Sequence, residues 1–243
     1  MNHVERIKTV MPEIGGKKML FMIKESEESN ELHGIGRDKF FNILRANGLL
    51  KKRKVRKGAP GTDSRETKSV YPNLKRDITV KGINDLLESD MTAIRIKQGY
   101  KPLSICMDVY SRKILGWQLS QNWSAAETVQ ALRSADKESG HKLQNSIHHS
   151  DQGKQYGSVI YAEVSRSLGI VSSMSRKATP TDAAHIERLN RTLKREFNLR
   201  RVFSTFEEAE KTIDYAVNIY NNLRPHWSLN LKTPSRVYDE GKI

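Results

Sequence analysis

Three acidic residues occupy positions from which they could act together on a phosphate group. Asp90 lies inside a predicted strand, where a charged side chain is unfavourable unless a cation or another partner accompanies it. Asp151 ends a later strand beside a glycine turn, and Glu187 follows on a predicted helix. The 35 residues between Asp151 and Glu187 suffice for a helix, a strand and a loop. We therefore expect the three carboxylates to meet at one edge of a sheet.

Carboxylates gathered in this way are suited to hard divalent cations. Mg²⁺ takes oxygen ligands and keeps several waters, so a few carboxylates and a substrate phosphate complete its coordination. Two such ions about 4 Å apart can activate the nucleophile and stabilise the leaving oxygen in phosphoryl transfer. The sequence shows no motif for an activated serine or cysteine. Asp90, Asp151 and Glu187 are thus the predicted catalytic residues and the predicted ligands of two Mg²⁺ (or Mn²⁺) ions.

The predicted helix that carries Glu187 also presents cations. Arg191 and Lys194 follow at i+4 and i+7 on the same face, while Ile186 and Leu189 point toward the core. One face could therefore offer a metal ligand and two cations to a phosphate backbone. An ordinary solvated face with an i,i+4 Glu–Arg pair is the alternative, and this helix alone favours it.

Apolar periodicity predicts the elements that must position these residues. Strands are predicted at 86–96, 103–109, 113–119, 146–149 and 170–174, with a tight turn at 110–112. Helices are predicted at 125–135, 160–168, 181–199 and 205–222. This order describes an α/β fold with a five-stranded mixed sheet flanked by helices. It is typical of the ribonuclease-H-like fold.

Composition shifts once along the chain, which predicts two units and a linker. Residues 1–57 are predicted as a small helical region, in which 37–47 is an amphipathic helix stopped by Gly48. Loop-forming residues follow a basic run, so 58–80 is the predicted linker, and 81–243 is the predicted catalytic core with its C-terminal helices. A turn, a helix and a basic arm suit a helix-turn-helix DNA-binding region. A plain helical hairpin with a solvated linker fits the same pattern.

The charge balance favours a polyanionic partner. Lys and Arg number 42 against 28 Asp and Glu, for a net charge of +14. This excess points to nucleic acid, although a ribosome-associated factor would also be basic. The single cysteine, Cys106, excludes an internal disulfide and a multi-cysteine zinc site. With no apolar run of membrane-spanning length and no signal-peptide core, we expect a cytoplasmic protein.

Seven short strings carry a family resemblance. They are SDMT at 89–92, DVYSR at 108–112, HSDQG at 149–153, SMSRK at 173–177, DAAHIE at 182–187, LKRE at 193–196 and YNNLRPH at 220–226. In this order, and with the spacing from Asp151 to Glu187, they resemble the integrase core of bacterial insertion-sequence transposases. The resemblance is to the OrfB type of the IS-three family, a branch of the DDE superfamily that shares its core with retroviral integrases. It covers about residues 80–240.

The resemblance implies metal-dependent DNA strand cleavage and strand transfer, and hence DNA integration and transposition. Such enzymes cut a strand at the element's end with metal-activated water, and the freed 3′-hydroxyl attacks another phosphodiester. Lys177, Arg191 and Lys194 would contact DNA phosphate. Arg224 and His226 are expected either to hold the C-terminal helix against the core or to touch DNA.

The resemblance also implies partners. These are the insertion-sequence ends and target DNA, and the pairing of two DNA ends implies a homo-oligomer. In this family an upstream reading frame, OrfA, supplies a further helix-turn-helix and heptad segment, so its product is a candidate partner. Because these partners are DNA, the resemblance also implies a nucleoid-associated location in the cytoplasm.

Three positions depart from the family pattern. The family usually has Trp where Leu87 stands, Gly where Ala178 stands, and Asn where Ala183 stands. A non-catalytic DNA-binding regulator or a decayed transposase remnant is therefore the alternative function. The complete carboxylate set argues against it, because binding alone would favour fewer negative charges near phosphate. A ribonuclease-H-type nuclease would share the fold and metals, but the strings around the acidic residues do not resemble one.

Two further polar features receive structural interpretations. Asp108 is predicted to cap the turn at 110–112 rather than to act in catalysis. His148 and His149 are neighbours on a strand, so their side chains point to opposite faces and are not expected to share a metal ion.

Overall fold

The chain folds around a five-stranded mixed sheet with the order β3-β2-β1-β4-β5. The structure is a computed structural model that describes residues 2–26, 34–50, 70–176 and 180–242. The strands are β1 (Leu86–Ile96), β2 (Gly99–Asp108), β3 (Ile114–Leu119), β4 (Ile147–Ser150) and β5 (Val171–Met174). Because β1 pairs antiparallel with β2 and parallel with β4, it is the central strand.

Helices cover both faces of the sheet. They are α1 (Asn2–Val10), α2 (Gly16–Glu25), α3 (Arg37–Ala46), α4 (Ala125–Glu138), α5 (Val159–Ser167), α6 (Ala184–Glu196), α7 (Phe206–Asn222) and α8 (Pro234–Glu240). Alternation along β1 separates two cores, since Leu87 packs with α4 and α5 whereas Ile94 and Ile96 pack with α6 and α7. No helix among the described residues is both long and apolar enough to cross a membrane.

The amino-terminal helices pack against the core on the α6 side. Met11, Met19 and Leu44 belong to the same buried cluster as the apolar faces of α6 and α7. The backbone N–H of Glu13 donates to the carbonyl of Glu196 at 3.3 Å. Helix α3 ends at Ala46, and Gly48 follows with a φ of +67°, as the predicted glycine stop requires. The three helices and the sheet therefore share one apolar core.

The predicted elements differ from the structure mainly at their ends. Strand β2 begins four residues earlier, at Gly99, because it continues the hairpin with β1. Helix α6 occupies only Ala184–Glu196 of the predicted 181–199, because a 3₁₀ turn at Pro180–Ala183 precedes it and Asn198 adopts a φ of +57° after it.

Part of the predicted linker is packed against the sheet. Residues 58–69 lie outside the described residues, but 70–80 are described. The N–H of Leu74 donates to Ser173 Oγ at 3.0 Å, and the N–H of Met174 donates to the carbonyl of Pro72 at 3.2 Å. This segment therefore runs beside β5.

A buried imidazole joins β1, β4 and α5. His148 Nε2 lies 2.7 Å from Ser89 Oγ, and its Nδ1 lies 2.7 Å from the hydroxyl of Tyr161. Burial lowers the pKa of His148 to about 3, with a smaller contribution from His149. The ring is therefore neutral in the folded protein, in which both of its nitrogens are hydrogen-bonded.

The burial of His148 predicts a pH dependence of stability. A neutral histidine that protonates near pH 6.5 when unfolded and near pH 3 when folded stabilises the fold fully above pH 6.5. That contribution is lost as the pH falls from 6.5 to 3, by roughly 1.4 kcal/mol per pH unit. We expect His148→Gln to be less stable than the wild type at pH 7, with a difference that narrows below pH 6. Urea unfolding at several pH values measures the difference in the free energy of unfolding between the two proteins. A difference that does not change with pH would contradict the prediction.

The contact between β3 and α4 depends on the absence of a side chain at Gly116. A Cβ at this position would lie 2.0 Å from the carbonyl oxygen of Ala131 and 2.6 Å from the nitrogen of Ala135. Both are backbone atoms of α4, so they cannot move without the helix.

We expect Gly116→Ala to lower the free energy of unfolding by about 1–3 kcal/mol, since the added methyl overpacks the interface. Gly82→Ala is the matched control, because nothing lies within 4 Å of a Cβ at that position. Chemical denaturation measures both variants. Equal stability of the two would mean that α4 does not approach β3 as described.

Candidate active site

Asp90 lies in the middle of the central strand, where it is partly buried. It is opposite Ile105 of β2, and its Oδ2 accepts a hydrogen bond of 2.7 Å from Nδ2 of Asn190 on α6. The helix is therefore attached to the strand at this carboxylate. The sequence predicted the position of Asp90 but not the role of Asn190.

Asp151 follows the last residue of β4. The register of the parallel pair sets Ser150 beside Ser89, so Asp151 comes to the edge of the sheet next to Asp90. Oδ1 of Asp151 accepts a hydrogen bond of 2.9 Å from the N–H of Gly153, which fixes the turn. The side chain is exposed, yet the surrounding protein desolvates it enough to raise its pKa.

Glu187 lies in the first turn of α6 and is exposed. It is three residues before Asn190, so both are on the side of α6 that faces Asp90. Among the described residues it forms no ion pair, including the i,i+4 pair with Arg191 that was the alternative interpretation of this face.

The three carboxylates interact electrostatically at Asp90. Burial, followed by the negative charge of Asp151, raises the pKa of Asp90 to about 6, and the charge of Glu187 adds to the increase. The hydrogen bonds from the backbone of Met91 and the side chain of Asn190 oppose this increase. Asp151, at the end of β4, and Glu187, on α6, are thus close enough to Asp90 to disfavour its ionisation.

These residues fit a divalent cation by the chemistry of their donors. They offer only oxygen, and a cation would relieve their mutual repulsion. Two polar atoms near Asp90, Oδ1 of Asn190 and the hydroxyl of Tyr156, are buried without a hydrogen-bond partner in the described part of the chain. In that same part, no three His, Cys, Asp or Glu side chains are close enough together to hold one ion.

Lys194 and Arg191 lie farther along the same helix. Lys194 Nζ donates to Thr92 Oγ1, two residues beyond Asp90 on the same face of β1. Burial lowers the pKa of Lys194, while the charge of Asp90 opposes the change. Arg191 is exposed. Both cations therefore lie along one side of the carboxylate group.

Glu88 is a second buried carboxylate on the same face of β1, and it was missed in the sequence. It is fully buried, and its Oε1 accepts from Lys75 Nζ at 2.5 Å and lies 3.2 Å from Nδ1 of His185. Its Oε2 accepts from the N–H of Ile186 at 2.9 Å. Burial alone would raise the pKa of Glu88, but His185 and Lys75 outweigh it, so the pKa is lowered.

The contact between Glu88 and Ile186 explains how α6 begins without a capping side chain. Ala183 is the N-cap residue and has no side-chain hydrogen bond to offer. Position N3, which a capping side chain would normally satisfy, is Ile186, and Glu88 supplies the acceptor from the adjacent strand. Where the family usually has Asn, this chain therefore receives its helix cap from β1.

The turn before α6 is fixed by the segment that was predicted as linker. Lys75 Nζ donates to the carbonyl of Asp182, and Asn73 Nδ2 donates to Asp182 Oδ2 at 2.7 Å. The N–H of Arg176 donates to the same carboxylate oxygen at 3.2 Å. Asp182 thus contacts the chain on both sides of residues 177–179. Lys177 and Ala178 themselves lie outside the described residues.

Arg224 and His226 join the ends of α6 and α7. Arg224 is buried, and its Nε and Nη2 donate to the two carboxylate oxygens of Glu196 at 2.7 and 2.9 Å. Its Nη1 lies 2.8 Å from Nε2 of His226. Burial, with the charges of Arg224 and other cations, lowers the pKa of His226 to about 2, so its ring accepts this bond as a neutral group. These contacts correspond to the holding role that the sequence left open.

The remaining predictions concern residues around the site. Leu87 is fully buried in the apolar cluster under α4 and α5, so it fills the place where the family usually has Trp. The turn-capping prediction for Asp108 is confirmed, since its carboxylate accepts from the N–H and hydroxyl of Ser111 at 2.7 and 2.5 Å. His148 and His149 do point to opposite faces, toward Ser89 and Ser173 respectively.

Sequence comparisons relate this chain to a known family. Residues 81–180 and 168–234 each match a model described as an integrase core domain. A transposase for insertion sequence element IS904 of Lactococcus lactis is 39% identical over 67% of this chain and 65% of its own length. An uncharacterized transposase-like protein of Haemophilus influenzae is 31% identical over 66% of this chain and 74% of its own length. The chain therefore aligns with just under two thirds of the Lactococcus relative.

Structural comparison identifies the fold. The HTLV-2 integrase catalytic core domain, solved in complex with magnesium, matches with a TM-score of 0.51 at 18% identity. The match covers 70% of this chain and 99% of that domain, and it shows the ribonuclease-H-like fold. The sheet order, the family models and the relatives agree, and this chain belongs to the insertion-sequence transposases that carry an integrase core domain.

Proposed function

We propose that the protein is a metal-dependent DNA transposase in which Asp90, Asp151 and Glu187 are the catalytic carboxylates. One observation supports the proposal: the charges of Asp151, after β4, and Glu187, on α6, both raise the pKa of Asp90 on the central strand. Placing two further negative charges near the partly buried Asp90 without a cation is unfavourable. A protein that only bound DNA would gain nothing from neighbouring carboxylates, because they repel phosphate.

The proposed reaction has two phosphoryl transfers. Water attacks a phosphodiester at the element's end, the P–O3′ bond breaks, and the leaving oxygen takes a proton to become a 3′-hydroxyl. That hydroxyl then attacks a phosphodiester of target DNA, so one P–O bond forms as another breaks. Two Mg²⁺ or Mn²⁺ ions held by Asp90, Asp151 and Glu187 would supply the activation of the attacking oxygen and the stabilisation of the leaving oxygen.

The other residues of the site would position the carboxylates and the DNA. Asn190 holds Asp90 through a hydrogen bond, so the carboxylate oxygens keep one orientation. Lys194 and Arg191 extend from the carboxylate group along α6 and are proposed to bind backbone phosphate. Lys177 is proposed for the same role. Arg224 and His226, proposed from the family resemblance as DNA contacts, are engaged with Glu196 and with each other, which favours the holding role.

The other parts of the chain are assigned by the same proposal. Residues 1–57 would form a DNA-binding region, 58–80 a linker and 81–243 the catalytic core. The partners would be insertion-sequence ends and target DNA, a second copy of the chain, and the product of an upstream OrfA frame. Because the substrate is DNA, the protein would act in the cytoplasm at the nucleoid.

The proposed function is tested by strand cleavage and joining on a labelled oligonucleotide that carries the element's own end. With Mg²⁺ or Mn²⁺, we expect wild-type products that Asp151→Asn reduces by roughly 100-fold or more, because a transition-state ligand is lost. Asp214→Asn is the matched control, since Asp214 is exposed on α7.

Two outcomes would contradict the proposal. Equal products from both variants would assign the cleavage to another site. No products from any form, even with the upstream-frame protein added, together with unchanged DNA binding, would leave the non-catalytic regulator.

Glu88 is proposed as a positioning residue for Glu187. It binds the N–H of Ile186, the residue before Glu187, so its loss would free the start of α6. We expect Glu88→Gln to lower the single-turnover cleavage rate at saturating DNA by roughly 10–100-fold, as loss of supporting contacts does in metal sites, with little change in DNA affinity.

The control for Glu88→Gln is Asp136→Asn, which disrupts another largely buried carboxylate, paired with His141 at 2.6 Å in α4. Thermal unfolding is measured for both variants. If Glu88→Gln loses stability but cleaves at the rate of the control, Glu88 stabilises the fold without positioning the site.

A further inference from the structure

A basic cavity lies on the side of α6 turned away from the carboxylates. Its volume is about 190 Å³, and α6 contributes His185, Arg188 and Thr192 to its wall. These positions are about half a helical turn around from Glu187 and Lys194. The amino-terminal helix α2, the β2–β3 turn and the chain after α7 complete the wall. None of the three proposed catalytic carboxylates lines the cavity, although His185 of its wall also contacts Glu88.

The cavity has more positive than negative charge. Four cations line it: Lys18, Arg112, Arg188 and Arg224. Glu196 balances two of them, since it pairs with Lys18 at 3.6 Å and with Arg224 at 2.7 Å. In the described part of the chain, neither Arg112 nor Arg188 is within ion-pair distance of a carboxylate. His226 is neutral and adds no charge.

Arg112 is held toward this cavity by a strained turn. Its φ is +64°, a left-handed conformation that is unfavourable for a residue with a Cβ. The preceding Ser111 fixes the turn through its two hydrogen bonds to Asp108. Strain of this kind persists where the surrounding structure requires it. In this turn it places the side chain of Arg112 in the cavity wall.

One nitrogen of the Arg112 guanidinium, Nη1, is buried and has no hydrogen-bond partner in the described part of the chain. Burial lowers the pKa of Arg112, and the neighbouring Arg188 adds to this effect. Glu88 attracts the guanidinium, but its oxygens are already bound by Lys75, His185 and Ile186. A buried donor without an acceptor is unfavourable by itself, and together with Arg188 it leaves uncompensated positive charge at the cavity wall.

We propose that this cavity binds a phosphate group, with Arg112 and Arg188 as its main ligands. Guanidinium groups match phosphate oxygens in a two-pronged geometry. The cavity is large enough for one phosphate with some water, and its aromatic rim includes Trp227, which is 58% exposed. The source is either a DNA phosphodiester, in which case the inference rests on the proposed function, or free phosphate. In the DNA case α6 would contact nucleic acid on two sides.

The test compares Arg112→Gln and Arg188→Gln with Arg133→Gln in the full chain. Arg133 is exposed on α4, so the control removes the same charge from a different surface. One measurement is the shift of the melting temperature with added inorganic phosphate. The other is the affinity for a short labelled duplex of arbitrary sequence at several salt concentrations, with no divalent metal. Arg188→Gln keeps the test decisive if Arg112→Gln does not fold.

The expected result is that phosphate stabilises the wild type and the control but not the two site variants. For a DNA source, each site variant also loses about 10-fold in duplex affinity, and its salt dependence falls by about one phosphate contact. For free phosphate, the melting shift is lost while duplex affinity equals that of the control. If both measurements match the control, the cavity is not a phosphate site. Because neither measurement requires catalysis, this failure is distinct from a failure of strand transfer.

Discussion

The structure around the candidate site depends on one buried carboxylate, Glu88. Removing this charge from water is unfavourable unless every oxygen is bound, and three groups from different parts of the chain bind it: Lys75, His185 and the N–H of Ile186. The requirement therefore brings the segment before β1 and the start of α6 to the central strand. Glu187 follows directly, so its place at the sheet edge is a consequence of satisfying Glu88.

The sequence pointed to Asp90 and Asp151 because each stands where a charged residue is informative, whereas Glu187 was predicted from its spacing and the family resemblance. Asp90 interrupts an apolar strand, and Asp151 ends one beside a glycine. Glu88 has the same signature as Asp90, two residues earlier on the same face, and it could have been identified by the same argument. Lys75 could not, because its contact is made from a stretch that composition assigned to a linker.

The fold was predictable at the level of strand and helix order, but not in its packing. Apolar periodicity identifies which face of a helix is buried, but not the surface against which it packs. The packing of Met19 and Leu44 against the α6 side of the sheet was therefore not foreseen. Neither was the end of α6, which is set by the left-handed residue Asn198 and by the link from Glu196 to Arg224.

The deep burial of Cys106 has a practical consequence. Burial raises the pKa of this thiol to about 12, and no part of the residue reaches solvent. Since thiolate is the reactive form, the only cysteine of the chain is shielded from alkylating reagents while the protein is folded. A cysteine introduced on the surface would thus be labelled selectively without altering the core. Fluorophores or spin labels attached there could report distances within the folded chain.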